Sequence, residues 1–265
     1  DRVTVPFVNG CGECELCKSG NAQVCPTQTQ PGFTQFGSFA EYVSIENADF
    51  NLIKLPDEID FDTAAALGCR FATAYRGLTA RANLQPHQTI AIFGCGGVGL
   101  SALMIAKALG AKTICIDIND ATLAKAKELG ADYIINSKNE DPVKKILDLT
   151  TTGVDVAVDA LGSEITSNQS VLSLKRRGKH IQLGLLLTPS GTTPIPMARA
   201  IAYELDLLGS HGMAAADYPQ MLKLISEGKL NPQALITKKV SLENGTELLK
   251  NLDKNPATGV VILNP

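Results

Sequence analysis

Residues 71–213 alternate between short apolar runs and helix-like runs, and this alternation restricts the chain to few architectures. The run at 89–93 carries no charge, as expected for a strand that is buried on both faces of a sheet. Apolar residues at 98–109 recur with helical spacing and stop before Gly110, a favoured helix end. Repeated strand–helix units predict a parallel sheet covered by helices, which is a doubly wound α/β fold.

The same patterns predict further elements along the chain. Strands are expected at 2–5, 39–43, 50–54, 113–116, 154–158, 179–183 and 259–263. Helices are expected at 121–129, after the pair Asp141-Pro142, and at 218–227. The beginning of the chain is rich in Gly, Pro and Cys, which indicates irregular β structure. We therefore predict three parts, 1–70, 71–213 and 214–265, with the last part packing back onto the first.

A glycine-rich turn, Gly94-Cys95-Gly96-Gly97-Val98-Gly99, follows the strand at 89–93 and opens the next helix. It matches the pattern G-x-G-x-x-G, whose glycines permit a tight turn, close approach to a pyrophosphate and close packing of helix on strand. The N-terminus of the helix offers N–H groups and a partial positive charge to phosphates. Alone, such a motif can be a simple turn. Between a strand and a helix it predicts dinucleotide binding.

Asp117 ends the second strand of this region, 18 residues beyond Gly99. A carboxylate at this point accepts hydrogen bonds from the ribose hydroxyls of NAD and repels the 2′-phosphate of NADP. The alternative is that Asp117 only caps the following helix. Asn119 and Asp120 can supply that cap, so we predict that Asp117 selects NAD.

Four cysteines near the start of the chain, Cys11, Cys14, Cys17 and Cys25, are separated by two, two and seven residues. Four thiolates on one short loop suit a closed, tetrahedral zinc site that supports folding and leaves no position for substrate. Disulfide pairs are a weaker interpretation, because disulfide scaffolds are small and rich in cysteine throughout. An iron–sulfur cluster also ranks below zinc.

The charge and hydropathy of the chain exclude several classes of function. The net charge of −3 predicts no broad basic surface for nucleic acid or anionic membranes. No apolar run approaches the roughly 20 residues that span a bilayer, and the sequence shows no signal-peptide pattern. With reduced thiols, these features predict a cytoplasmic location.

Taken together, these motifs resemble a known family. The carriers are Gly10-Cys11-Gly12-Glu13-Cys14-Glu15-Leu16-Cys17 with Cys25, Gly68-Cys69-Arg70, the glycine-rich turn, Asp117, and Gly209-Ser210-His211-Gly212-Met213. The chain resembles a zinc-dependent alcohol dehydrogenase of the medium-chain dehydrogenase/reductase superfamily. The resemblance implies a Rossmann sheet at 71–213, and part of a GroES-like β-rich catalytic domain at 1–70 to which 214–265 returns.

The resemblance also implies the activity and its residues. The activity is oxidation of an alcohol to an aldehyde or ketone with hydride transfer to NAD, in a homodimer or homotetramer. Cys11, Cys14, Cys17 and Cys25 would hold a structural zinc, and Cys69 would be one ligand of a catalytic zinc. The implied cofactor-binding residues are Thr73, Gly94, Gly96, Gly97, Val98, Gly99, Asp117, Ala160, Gly184 and Leu185.

The chain departs from the family at the catalytic metal. The family's first catalytic Cys and its Gly-His-Glu motif are absent, and His87, His180 and His211 are expected to be surface or packing residues. The sequence begins at Asp1, so we expect an N-terminally truncated chain that is inactive or impaired. Two alternatives remain: a zinc-independent quinone or enoyl reductase of the same superfamily, and a non-catalytic NAD-binding module.

Overall fold

A computed structural model describes residues 1–187, 192–251 and 258–265. The chain separates into two compact units. The cysteine unit comprises 1–73 and 211–265, and the sheet unit comprises 74–210. The predicted three-part division stays a prediction, and its stretches at 188–191 and 252–257 lie outside the described residues.

The sheet unit contains six parallel strands, in the spatial order β3-β2-β1-β4-β5-β6. They are β1 (Thr89–Phe93), β2 (Lys112–Asp117), β3 (Tyr133–Asn136), β4 (Val154–Asp159), β5 (Leu174–Gln182) and β6 (Asp206–Gly209). The order reverses between β1 and β4, and such a switch point opens a crevice for ligands at the carboxyl ends of the strands. The predicted doubly wound α/β class is confirmed.

Five helices connect these strands: α1 (Gly97–Ala108), α2 (Asp120–Glu128), α3 (Pro142–Thr150), α4 (Glu164–Leu172) and α5 (Met197–Tyr203). Their starts follow ordinary capping chemistry. Asp141 accepts the N–H groups of Val143 and Lys144 at the start of α3, where Pro142 occupies the tolerated first turn. Ser163 and Thr166 form a capping box at the start of α4.

The core of the sheet unit lies between the strands and these helices. Its central cluster contains Ala91, Phe93, Ile114, Ile116, Ile135, Ile146, Val154, Ala157 and Leu174. Strand β1 is buried from Ile90 to Phe93, in agreement with its charge-free sequence. Burial on both faces explains why its apolar residues run consecutively instead of alternating.

The cysteine unit has little regular structure. Val3–Thr4 pairs antiparallel with Ile53–Lys54, and Val260–Asn264 pairs parallel with Ile236–Ser241. Its helical segments are Glu15–Lys18, Ala22–Val24, Ala48–Asn51, Phe61–Ala66, Leu67–Phe71, Ala215–Asp217, Tyr218–Ser226, Pro232–Leu235 and Leu242–Lys250. The segments Ala72–Arg76 and Gly77–Arg81 are also helical.

Two strand predictions in this unit are wrong. Residues 39–43 form no strand, and the side chains of Phe39 and Tyr42 are exposed, because no described strand pairs with this segment. The strand predicted at 50–54 is reduced to Ile53–Lys54. Asn51 explains the difference, since its side-chain amide exchanges hydrogen bonds with the backbone of Gly10 and also donates to the carbonyl of Asn47, which favours a helical turn.

No helix in the described part of the chain is both long and apolar enough to cross a membrane.

The carboxylate of Asp132 stabilises the sheet unit by joining α1 to β2. It accepts from Lys107 Nζ at 3.0 Å, from the N–H of Thr113 at 2.7 Å and from the Thr113 hydroxyl at 2.9 Å. Burial by itself raises the pKa of Asp132, but the Thr113 and Lys107 donors outweigh it, so the pKa lies below its usual value. About a third of the Asp132 side chain remains exposed, so solvent screening limits the stabilisation.

We expect Asp132→Asn to lower the free energy of unfolding by about 1 kcal/mol at pH 7. Because the folded pKa is lowered, the stabilisation is complete above the unfolded value of about 3.9 and is lost as the pH falls through the folded value. Urea unfolding followed by circular dichroism should therefore show that the difference in free energy of unfolding between the unaltered chain and Asp132→Asn narrows below about pH 4. Asp148→Asn, an exposed acid on α3, is the control. An equal difference at all pH values would contradict this assignment.

Candidate functional site

The glycine-rich turn brings β1 and α1 into direct backbone contact. Gly94 has φ of +94°, a conformation that favours glycine. A Cβ added to Gly99 would lie 1.8 Å from the carbonyl oxygen of Gly94, so only glycine fits there. A Cβ added to Gly96 would meet nothing within 4 Å, so open space adjoins its backbone. This open space allows a ligand to approach the turn closely.

The N-terminus of α1 is suited to an anion. Gly96 is its N-cap, and no described side chain caps the first turn. The first N–H groups of a helix have no partner within the helix, and the helix dipole adds partial positive charge. These groups, exposed beside the small Gly96 and Gly97, fit the pyrophosphate of a dinucleotide.

Asp117 at the end of β2 is joined to this turn by one hydrogen bond and to the residues before α2 by another. Its Oδ2 accepts the N–H of Cys95 at 2.7 Å, and its Oδ1 accepts the N–H of Asn119 at 2.9 Å. Asn119 caps α2 by accepting the N–H of Ala121, so Asp117 is not needed as the cap. Each carboxylate oxygen keeps a further lone pair for the hydroxyls of a ribose.

The loops that follow β4 and β5 lie at the same carboxyl edge. The N–H of Ala160 donates to the carbonyl of Phe93 at 2.9 Å. A Cβ on Gly184 would lie 2.2 Å from the nitrogen of Gly162, so these two backbones are in contact. The structure thus groups the glycine-rich turn with Asp117, Ala160, Gly184 and Leu185 in the sheet unit. Their contacts with a cofactor stay predictions.

In the cysteine unit, the sulfur atoms of Cys11, Cys14, Cys17 and Cys25 all lie within 4.8 Å of one another. The Cys11–Cys17 pair is separated by 3.9 Å and the Cys14–Cys25 pair by 3.8 Å. Zinc–sulfur bonds of about 2.3 Å in a tetrahedron give sulfur–sulfur edges of about 3.8 Å. The cysteines are free thiols, so the arrangement fits zinc and not disulfide pairs.

Backbone N–H groups support thiolate ligands in this loop. The N–H of Cys14 donates to the sulfur of Cys11, and the N–H of Cys17 donates to the sulfur of Cys14, both at 3.4 Å. The N–H groups of Glu13 and Cys14 lower the pKa of Cys11 to about 6. Burial raises the pKa of Cys17 to about 12 without a metal, so Cys11 favours the thiolate form, whereas Cys17 would lose its proton on binding zinc.

Cys69 does not have a matching set of ligands. It is exposed in the segment Leu67–Phe71, where Gly68 interrupts the helical geometry with φ of −10° and ψ of −142°. Among the described residues, the four-cysteine cluster is the only group of three or more His, Cys, Asp and Glu that could hold a metal. A catalytic zinc needs three protein ligands, so the described residues do not form that site. Thr73 follows Cys69 by four residues, about one helical turn, and is buried.

The three histidines occupy unrelated environments. His87 is exposed on a turn and has φ of +68°. His180 is buried in β5, with Nδ1 2.6 Å from the Ser170 hydroxyl oxygen. His211 packs edge-on against Phe7, with ring centroids 5.5 Å apart.

One polar residue at the carboxyl edge was not predicted from the sequence. Asp159, the last residue of β4, is fully buried directly before the loop that begins at Ala160. The available signal was an acid at the end of Val154–Asp159, whose other residues apart from Asp155 are apolar.

Cys14→Ser should destabilise the cysteine unit, because a closed zinc site contributes folding free energy directly. We expect a loss of about 3 kcal/mol, or a fall of roughly 5–10 °C in Tm, together with loss of bound zinc. Calorimetry and metal analysis would measure both. Cys69→Ser is the matched control and should retain the metal. Zinc bound at full occupancy by Cys14→Ser would contradict the assignment.

Gly99→Ala and Gly96→Ala separate folding from binding at the glycine-rich turn. Gly99→Ala should cost more than about 3 kcal/mol of stability, because its methyl group overlaps the Gly94 carbonyl. Gly96→Ala should cost about 1 kcal/mol or less and weaken NADH binding at least tenfold, because its methyl group enters the ligand space. Chemical unfolding and NADH titration measure the two effects. Full NADH affinity in Gly96→Ala would exclude a close approach of the cofactor to this backbone.

Comparison with known proteins connects these sites to one family. Residues 1–57 match the family model described as alcohol dehydrogenase GroES-like domain, and residues 97–227 match that described as zinc-binding dehydrogenase. The chain is 34% identical over 264 residues to an alcohol dehydrogenase of Geobacillus stearothermophilus, covering 99% of this chain and 75% of the relative. It is also 34% identical to an NAD-dependent alcohol dehydrogenase of Sulfolobus acidocaldarius, covering 99% of this chain and 74% of the relative.

Solved structures give the same result. Alcohol dehydrogenase TADH from Thermus sp. ATN1 superposes with a TM-score of 0.90 at 28% identity, covering 99% of this chain and 79% of that one. A 2R,3R-butanediol dehydrogenase from Bacillus subtilis superposes with a TM-score of 0.86 at 27% identity, covering 100% and 74%. On sequence and fold together, the chain belongs to the zinc-dependent alcohol dehydrogenases of the medium-chain dehydrogenase/reductase superfamily.

Proposed function

We propose that this chain is an NAD- and zinc-dependent oxidoreductase that oxidises an alcohol to an aldehyde or ketone. The observation that most supports the proposal is the direct hydrogen bond between Asp117 and the glycine-rich turn, because a carboxylate beside a free helix N-terminus suits the ribose and the pyrophosphate of a dinucleotide. The names of the relatives, alcohol dehydrogenase and NAD-dependent alcohol dehydrogenase, support the reaction and the cofactor.

In this proposal the residues of the sheet unit hold and orient NAD. The first turn of α1 binds the pyrophosphate, with Gly94, Gly96, Gly97 and Gly99 allowing its close approach. Asp117 accepts hydrogen bonds from the adenosine ribose. Val98, Ala160, Gly184 and Leu185 contact the nicotinamide side, and the family resemblance assigns Thr73 to the cofactor as well. When bound, NAD supplies the ring that accepts a hydride from the alcohol.

The proposal includes two zinc sites, one structural and one catalytic. Cys11, Cys14, Cys17 and Cys25 hold a structural zinc, which completes four thiolate bonds and leaves no coordination position for substrate. Cys69 is assigned as one ligand of a catalytic zinc by the family resemblance. Since the described residues supply no second and third ligand around it, we derive no catalytic step through that metal.

The substrate class follows from the family. Relatives named alcohol dehydrogenase and butanediol dehydrogenase indicate small primary or secondary alcohols, polyols and the corresponding carbonyl compounds. We further propose a cytoplasmic homodimer or homotetramer that binds neither nucleic acid nor membranes. The free cysteines suit a reducing compartment, and a net charge of −3 gives no broad attraction for polyanions.

A second candidate function is NAD binding without turnover. It is favoured by Cys69, which lacks companion ligands among the described residues. Zinc-dependent formation of NADH from alcohols by this polypeptide would exclude it, whereas NADH binding without turnover would support it. The four-cysteine cluster argues against the other alternative, a zinc-independent quinone or enoyl reductase.

Asp117→Gly tests the cofactor assignment. We expect NADH affinity to fall about tenfold, because the ribose loses a charged acceptor, while NADPH affinity stays the same or rises. The chain contains no tryptophan, so the emission of NADH itself can be followed without that background. Asp120→Ala is the control, because Asp120 is a neighbouring acid at the start of α2 whose carboxylate accepts a hydrogen bond from the side chain of Asn136. This variant should leave the affinities for NADH and NADPH unchanged. Unaltered NADH and NADPH affinities in Asp117→Gly would remove this residue from the site.

A further inference from the structure

Asp159 is a buried carboxylate whose hydrogen-bond donors are uncharged. Its Oδ1 accepts the N–H of Leu161 at 3.1 Å, the N–H of Gly162 at 2.9 Å and the hydroxyl of Thr166 at 3.0 Å. Its Oδ2 accepts the side-chain amide of Gln182 at 2.9 Å. Four donors compensate for the removal of this charge from water, and they fix the carboxylate in one orientation.

The hydrogen bonds behind Asp159 run in one direction. Gln182 Nε2 donates to Asp159 and to the carbonyl of Gly184, both at 2.9 Å, so Gln182 Oε1 is the acceptor for His180 Nε2 at 3.2 Å. His180 therefore carries its proton on Nε2, and its Nδ1 accepts the hydroxyl of Ser170 at 2.6 Å. Burial lowers the pKa of His180, which agrees with a neutral ring.

Asp159 also connects the two loops at the carboxyl edge through its backbone. Its carbonyl accepts the N–H groups of Leu183 at 3.0 Å and Gly184 at 2.9 Å. Its carboxylate holds the first turn after β4, and Gln182 holds the Gly184 carbonyl. The loops after β4 and β5 are therefore joined by one network whose central residue is Asp159.

This network reaches the glycine-rich turn. A Cβ added to Gly94 would lie 3.1 Å from the Cβ of Leu161, and the N–H of Ala160 bonds the carbonyl of Phe93. A shift of the loop after β4 would therefore alter the surface beside the turn. Asp117 ends β2, which lies on the other side of β1 from β4.

We propose that Asp159 is a positioning residue for the nicotinamide half of the cofactor site, with Gln182 and His180 fixing its orientation from behind. Asp159 acts through the backbones of Ala160, Gly184 and Leu185 and does not contact the cofactor. This proposal rests on the proposed NAD-binding function. A residue that only stabilised the fold would weaken binding of both halves of the cofactor. A positioning role for Asp159 requires a selective loss at the nicotinamide half.

The test compares NADH with ADP-ribose, which lacks nicotinamide. Asp159→Asn retains the shape of the side chain but places an amide N–H₂ opposite the donor of Gln182. We expect the Kd for NADH to rise about tenfold and the Kd for ADP-ribose to change less than about twofold. Equal weakening of both ligands, or no weakening of NADH, would overturn the proposal. Failure of the unaltered chain to bind either ligand would instead overturn the proposed function.

A charge-exchanged pair tests the direction of the hydrogen bonds. Gln182→Glu alone places two carboxylates together and should weaken NADH binding at least as much as Asp159→Asn. In the double variant Asp159→Asn with Gln182→Glu, the new amide donates to the new carboxylate, which still accepts from His180 but no longer donates to the Gly184 carbonyl. We expect NADH affinity to recover in part, to a value above that of either single variant, because the bond to the Gly184 carbonyl stays lost. A double variant no better than either single variant would overturn the directed network.

Two further variants keep the test decisive. If Asp159→Asn does not fold, Gln182→Ala replaces it, and the same selective loss of NADH affinity is expected. Thr113→Val removes a comparably buried hydroxyl that bonds Asp132 near the amino end of β2. It should lower Tm and leave the Kd for NADH unchanged. Equal loss of NADH affinity in Thr113→Val would show that general destabilisation explains the effect.

Discussion

The close backbone contact between Gly94 and Gly99 is the constraint on which the carboxyl edge of the sheet depends. It allows α1 to start immediately beside β1, so that the helix N-terminus faces the carboxyl edge of the sheet. The same turn directs the N–H of Cys95 toward Asp117, which fixes the Asp117 carboxylate relative to the N-terminus of α1. A side chain at residue 99 would separate strand from helix and displace both groups together.

The cysteine unit depends on a different interaction. Its described sheets have two strands each, and the described helical segments of the cysteine loop are the short Glu15–Lys18 and Ala22–Val24. Such elements bury little apolar surface around the loop, so metal bonds are the natural source of order there. Two of the sulfur–sulfur distances, 3.8 and 3.9 Å, agree with a tetrahedral zinc, and four thiolate ligands would leave no coordination position for substrate.

The sequence predicts the sheet unit well, because its signals are local. Helical spacing at 98–109 corresponds to the observed Gly97–Ala108, and the uncharged run at 89–93 is β1. The alternation at 39–43 is misleading, since a strand also needs a partner and none is present among the described residues. Asn51 shows a second limit, because its bonds to Gly10 join residues 41 positions apart.

The candidate site is predictable from the sequence only where its residues follow a local pattern. Spacing identifies the glycines and Asp117, because their chemistry follows from a strand, a turn and a helix in order. Asp159 could not be recognised in this way. Its importance comes from burial and from the parallel pairing of β4 with β5, which sets Asp159 opposite Gln182 and brings His180 behind it. Such a network exists only after the strands have been assembled.

Amide hydrogen–deuterium exchange with and without saturating NADH is the most direct test of cofactor binding at the carboxyl edge of the sheet. We expect slower exchange in the glycine-rich turn and in the loops that begin at Ala160 and Gly184 when NADH is bound. Amides at the amino ends of β2 and β4 should be unaffected. Exchange in all three carboxyl-edge segments that is unchanged by NADH would contradict the central claim that this edge binds the dinucleotide.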